Sequence, residues 1–239
     1  MKSTDRKNIL LMGDSVIDNA SWIPKKDLAT PERFAEVFPE CHITNVALDG
    51  MTIPFMQRDQ LDRVDGDFDE VFVSIGGNDL LQVFGFLDLE LGTAINTFNG
   101  FELHARNQFV KNYSLLYKSI KDKFENSNFL FCDIYDACWE SDIMRGMPKY
   151  SKELARACTV AVDLYNASIR KIVDEDEIFS INKIFRDRPD YYANTIEPST
   201  LGSLAIAEEA RKVIQPQSIY NTRLMTTNSF KLGLDPKIK

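Results

Sequence analysis

Short unbroken apolar runs alternate along this chain with longer stretches in which apolar residues recur every three or four positions. The first run, Asn8 to Met12 (NILLM), stops at Gly13-Asp14-Ser15. An apolar segment of that length, closed by turn residues, predicts a strand covered on both faces, as in a parallel sheet. His42 to Leu48, Glu70 to Ile75, Phe129 to Ile134 and Glu177 to Ile181 predict four more strands by the same reasoning. The stretches between them carry the helical period. Pro31 opens a short helix to Phe38 in the first-turn position that proline favours, and Pro54 to Val64 places Phe55, Leu61 and Val64 at helix-compatible spacing. Phe109, Tyr113, Leu116, Ile120 and Phe124 share one face of a helix predicted from about Phe101 to Phe124, which Asn126-Ser127-Asn128 stops. Leu154, Cys158, Ala161, Tyr165, Ile169 and Ile172 mark a second such face, and Pro198-Ser199-Thr200 opens a last helix through about Ile214.

Five strands alternating with helices predict one α/β domain over 1–215, a three-layer sandwich with a mostly parallel sheet, followed by a polar, slightly basic extension at 216–239. In such sheets ligands bind beyond the carboxyl ends of the strands, so the residues just after each strand carry the functional information.

Composition removes several classes of function. A chain of 239 residues can build its core without disulfides or metals. Lys and Arg number 28 against 36 Asp and Glu, a net charge of −8, which argues against nucleic-acid or anionic-membrane partners. No apolar segment approaches the length of a membrane span, and the run before Gly13 is too short for a signal-peptide core. A cytoplasmic protein with no membrane insertion is expected. Cys41, Cys132, Cys138 and Cys158 lack CxxC or zinc-type spacing and are expected as reduced thiols. Only two histidines are present, His42 and His104, so a His-rich metal site is disfavoured and no cofactor is expected.

Gly13-Asp14-Ser15 follows the first strand, Asp49-Gly50 the second, and Gly76-Gly77-Asn78-Asp79 the third. A hydroxyl on a tight turn near a helix N-terminus lies close to free N–H groups that favour a developing oxyanion. Gly50 permits close backbone approach and offers an N–H, while Asn78 offers a side-chain NH₂. Ser15 as nucleophile, with these donors around it, is the set that acyl transfer needs. Asp14 and Asp79 have the character of supporting residues that hold their turns.

MGDSVIDN (Met12 to Asn19), ALDGMT around Gly50, and GGND (Gly76 to Asp79) resemble the first three sequence blocks of the SGNH, or GDSL-type, hydrolases. EPSTLGSLAIAE (Glu197 to Glu208) resembles the last. The resemblance implies a flavodoxin-like sheet of order 2-1-3-4-5, Ser15 as nucleophile, and an oxyanion hole made of the Ser15 N–H, the Gly50 N–H and the Asn78 side chain. It implies a small-molecule ester as substrate. The chain departs from the family in the last block, where Asp-x-x-His is usual: Asn194 stands in the aspartate position and Glu197 in the histidine position. The wording DYYANTIEPS resembles a bacterial subgroup that carries Glu-Pro-Ser here.

A solvated glutamate, with a pKa of about 4.3, is a poor base for a serine hydroxyl, but burial raises it toward the operating pH. Tyr191, Tyr192, Ile196 and Leu201 are near enough in sequence to supply such surroundings. The expected arrangement is therefore a Ser15–Glu197 dyad with Asn194 orienting the carboxylate. Other readings stay open. Glu197 is also placed to favour the dipole of the last helix, and His104 is a second source of a base. A catalytically silent SGNH fold would bind an acyl or glycan ligand in the same pocket. Asp14, Asp18, Asp49 and Asp79 offer an acidic cluster for Mg²⁺ and phosphoryl chemistry, although no Walker-type loop accompanies them. The loops expected to line the pocket, near 20–29, 80–100 and 139–150, carry Trp22, Phe84, Phe86, Phe98, Trp139 and Met144.

Overall fold

Strands β1 (Asn8–Gly13), β2 (His42–Asn45), β3 (Glu70–Ser74), β4 (Asn128–Cys132) and β5 (Ile178–Phe179) form one sheet of order β2-β1-β3-β4-β5 in which every pairing is parallel. This is the order expected. The computed structural model describes residues 6–84, 91–139 and 152–215, the side chains at 83–84, 91–105 and 152–154 excepted. The expected extension at 216–239, the loop residues Phe86 and Met144, and the side chains of Phe84, Phe98 and His104 lie outside the described residues.

The main helices are α1 (Thr30–Val37), α4 (Leu91–Lys123), α5 (Lys152–Ile172) and α7 (Thr200–Ile214), with the shorter α2 (Ile53–Phe55), α3 (Gly77–Phe84) and α6 (Ile181–Phe185) between them. Alternate residues of each strand face opposite layers. Leu10, Met12, Val71, Val73 and Phe131 meet Tyr113, Leu116 and Ile120 of α4 and Ala161, Tyr165 and Ile169 of α5. Ile9, Leu11, Phe72 and Cys132 meet Phe34 of α1 and Ile206, Ala207 and Ala210 of α7. Both faces of the sheet are thus covered, which is why the strands read as unbroken apolar runs. His42 is exposed at the start of β2, the end of the sheet opposite Ser15. The four cysteines are buried and form no disulfide with one another.

The structure departs from the expected elements where long-range contacts decide. Pro54 to Val64 is not a regular helix: α2 passes into a π-helical stretch, Met56–Gln60, and then a 3₁₀ turn, Leu61–Arg63. The irregular stretch turns Gln60 inward, where its amide accepts from the Gly13 N–H at 2.9 Å and donates to the Gly13 carbonyl at 2.6 Å. π-helical turns of this kind often accompany functional sites. β5 is shorter than expected because Ile181 opens α6, whose Asn182 N–H is taken by the Asp133 carboxylate at 2.9 Å. Of the Gly76-Gly77-Asn78-Asp79 residues expected to close β3, Gly76 forms the bend and Gly77 begins α3.

Gly13 fixes the carboxyl end of the sheet. Its φ is +139°, and a Cβ there would stand 1.8 Å from the Ser74 carbonyl oxygen. Only glycine lets β1 and β3 approach this closely, which brings the residues after β1 beside those after β3.

Candidate active site

Directly after Gly13 the chain folds into a tight turn. The Asp14 N–H donates to the Ser74 carbonyl at 3.1 Å, the Ile17 and Asp18 N–H groups both donate to the Asp14 carbonyl at 3.0 Å, and the Val16 N–H donates to Asp14 Oδ1 at 3.1 Å. Asp14 thus holds this turn through both its carbonyl and its carboxyl oxygen. The turn sets Ser15 at the carboxyl end of a central strand, 7% exposed, with its N–H unclaimed by any acceptor among the described residues.

Ser15 Oγ donates to Glu197 Oε1 at 3.1 Å, across 182 positions of sequence. The Glu197 segment is held from several sides. Asn194 Oδ1 accepts the N–H groups of Ile196 and Glu197, both at 2.9 Å, and the Ala193 N–H donates to the Glu197 carbonyl at 2.8 Å. The Tyr135 hydroxyl donates to the Ile196 carbonyl, and Asn19 Nδ2 donates to the Pro198 carbonyl at 3.0 Å. Asn194 therefore positions Glu197 through the backbone and makes no hydrogen bond to the carboxylate, which corrects the contact expected of it.

The Glu197 carboxyl is 4% exposed, and its Oε2 has no hydrogen-bond partner among the described residues. Burial pushes its pKa up to about 7, with the Asp49 charge adding to the rise and the Ser15 hydroxyl opposing it. Asp14 is pushed up to about 8, chiefly by burial, with the charges of Glu197 and Asp79 adding and the Val16 N–H opposing. Asp79 rises to about 6, again chiefly by burial. Near neutral pH the carboxyl next to Ser15 is close to half ionised, and Asp14 beside it is mostly neutral.

Asn78 lies in the first turn of α3, and its Nδ2 donates to the Met51 carbonyl at 2.9 Å. Asp79 accepts the Ile53 N–H on both oxygens, at 3.3 and 3.1 Å, so the two residues tie α3 to the turn after β2. Gly50 occupies that turn with φ +75°, solvent-exposed, and its N–H also has no acceptor among the described residues. Asp49 is joined to the β1 side by its own N–H to Asp18 Oδ2 at 3.0 Å and by accepting the indole N–H of the half-exposed Trp22 at 3.1 Å. The four aspartates considered for a metal are thus engaged with backbone or indole donors, and among the described residues no three His, Cys, Asp or Glu converge as ligands.

A cavity of about 80 Å³ opens beside this group, with Asp14, Ser15, Asn78 and Glu197 on its wall and mostly apolar residues elsewhere. Gly50 is not part of that wall. Three residues important to the geometry were not anticipated. Asn19 lies within the MGDSVIDN block but is an ordinary polar residue in sequence, whereas in the fold it is fully buried and bonded to Ser203 and Thr30 as well as Pro198. Gln60 and Tyr135 carry no local signal, because their partners are remote.

The sheet order and the three layers define a class: this is the fold of the GDSL-type lipolytic hydrolases. The chain is similar to the extracellular lipase of Streptomyces rimosus, with a TM-score of 0.62 at 16% identity over 85% of this chain and 99% of the lipase. It is similar to a member of the lipolytic G-D-S-L family from Veillonella parvula, with a TM-score of 0.55 at 15% identity over 88% and 99% of the two chains. The acetyl xylan esterase AlAXEase superposes with a TM-score of 0.57 at 15% identity over 87% and 99%. At such identities the likeness establishes the fold. No family model matches the sequence, and no curated protein matches it.

Proposed function

We propose that the protein is a serine ester hydrolase, an esterase or acylhydrolase, working on a small-molecule ester through an acyl-Ser15 intermediate with Glu197 as the base. The observation that carries this reading is the buried hydrogen bond from Ser15 Oγ to Glu197 Oε1 at 3.1 Å, made to a carboxyl whose pKa lies at about 7. A base poised near the operating pH combines a usable ionised fraction with real proton affinity. The fold shared with lipases and esterases supports the same reaction class.

In the first half-reaction ionised Glu197 takes the Ser15 proton as Oγ attacks the ester carbonyl. The bond to the alcohol then breaks, and the neutral Glu197 returns the proton to the departing alkoxide. In the second, water attacks the acyl carbon, gives its proton to Glu197, and Ser15 leaves with that proton. The tetrahedral oxygen would be met by the Ser15 N–H, the Gly50 N–H and the Asn78 hydrogen that Met51 does not hold. Asp14, mostly neutral at pH 7, adds little negative charge beside that oxygen.

The test is hydrolysis of 4-nitrophenyl butyrate together with labelling by a fluorophosphonate, each with and without Ser15→Ala. Hydrolysis and labelling that both disappear in Ser15→Ala support the enzyme. A folded wild-type protein that takes no label and turns over no ester would favour the silent ligand-binding fold.

A further inference from the structure

The cavity beside Ser15 is open to solvent on one side, and its volume sets how much of an acyl group it can enclose. Its volume is about 80 Å³. An apolar protein cavity of about 150 Å³ is filled by a benzene ring, so roughly half that space holds a chain of about two to four carbons. Among the described residues its apolar lining includes Leu80 and Leu81 in the first turns of α3, Ile134 and Ala137 after β4, and Cys158 and Val162, one turn apart on α5, with Val16, Ile75 and Ile196 beside the reacting groups.

This wall is rigid. Leu80, Cys158 and Val162 are 5%, 6% and 5% exposed and belong to the core layer that also contains Tyr165 and Phe109. Close-packed groups of this kind resist the insertion of extra methylenes, because making room forces neighbouring side chains out of their preferred rotamers. Burial pushes the Cys158 thiol up to about 12, so it faces the cavity as a neutral, weakly polar group. The polar atoms suited to a reacting carbonyl, on Ser15, Asn78 and Glu197, border the same space.

We propose that the protein selects esters of short acyl groups, from two to about four carbons, with the chain end stopped against Leu81, Cys158 and Val162. The selection rests on Ser15 being the nucleophile.

The experiment compares kcat/KM for 4-nitrophenyl acetate, butyrate and octanoate, and in parallel measures binding of N-methylbutanamide and N-methyloctanamide to Ser15→Ala. The butyrate ester should exceed the octanoate ester by about 100-fold or more, and N-methylbutanamide should bind the more tightly. Val162→Ala and the partly buried Leu81→Ala should each narrow the ester ratio about tenfold; Leu81 keeps the test usable if the core change at Val162 impairs folding. Octanoate cleaved as well as butyrate in a Ser15-dependent reaction overturns the size limit and leaves the hydrolase intact. Absence of any Ser15-dependent turnover, with N-methylbutanamide still preferred, overturns the hydrolase and keeps the size limit. Equal binding of both amides overturns the size limit.

Discussion

Asp133 and Glu197 are both carboxylates at the carboxyl end of the sheet, 3% and 4% exposed, and both border the cavity. Their surroundings differ. Asp133 Oδ2 accepts from the Arg170 guanidinium at 2.9 Å and the Ser180 hydroxyl at 2.7 Å, and its Oδ1 accepts the Asn182 N–H at 2.9 Å. Glu197 receives one hydroxyl on Oε1 and nothing on Oε2 among the described residues. An ionised carboxylate has about four acceptor sites, and each one left empty in a dry environment favours the protonated form. Asp133 therefore fastens β4, α5 and α6 to one another, whereas Glu197 retains proton affinity near neutral pH. At equal burial, the number of donors separates a strut from a carboxyl suited to the role proposed for Glu197.

Exchanging each carboxylate for its amide sharpens the contrast. Glu197→Gln keeps the shape and removes the proposed base, so kcat on a short-chain ester should fall about 10²- to 10⁴-fold. Thermal unfolding of that variant should be unchanged or shifted upward, because a poorly solvated acid has been replaced by a neutral group. Asp133→Asn should do the reverse, losing about 2 kcal/mol in denaturant unfolding because Arg170 and Ser180 are deprived of their acceptor, while kcat per folded molecule stays within about threefold. Equal stability losses in the two variants would break the comparison.

The pH dependence gives a second, smaller effect with a definite sign. Glu197 and Asp14 have folded pKa values of about 7 and about 8, above the ordinary values of 4.5 and 3.8 for their side chains. Each binds its proton more tightly in the folded state, so its contribution to stability is full below the unfolded carboxylate range and is lost as pH rises through the folded value. The unfolding midpoint should therefore fall between about pH 5 and pH 8, and fall less in Glu197→Gln. Activity runs the other way over that range, since the base must be ionised. The smallest expected effect is at Asp49, whose charge raises the Glu197 pKa from an exposed position. Asp49→Asn should move the acidic limb of the kcat/KM profile to lower pH, and a move to higher pH would contradict the assigned charge effect.

What could be read in the sequence was local. The runs Asn8–Met12 and Glu70–Ile75 lie in strands buried on both faces, and apolar continuity alone identifies them. Ser15 and Asn78 were legible because the residues that follow parallel strands gather at one edge of the sheet. Glu197 was legible by its place in the last block. The rest depended on partners far away in sequence. Gln60 has the character of a polar residue on a helix face until Gly13, 47 positions earlier, gives its amide a buried partner. Ile181 fits a strand or a helix equally well, and Asp133 decides between them. The contact that Asn194 makes is not legible in sequence, because an asparagine that orients a carboxylate and one that closes a turn have the same sequence signature.

The central claim is that Glu197 serves as the base for Ser15, and the most direct measurement is the rate of Ser15 phosphonylation by a fluorophosphonate as a function of pH in wild type and Glu197→Gln. The wild-type rate constant should rise with pH through a midpoint near 7, and the variant should react about 100-fold or more slowly without that rise. A Glu197→Gln protein that reacts at the wild-type rate with the wild-type pH profile would contradict the claim.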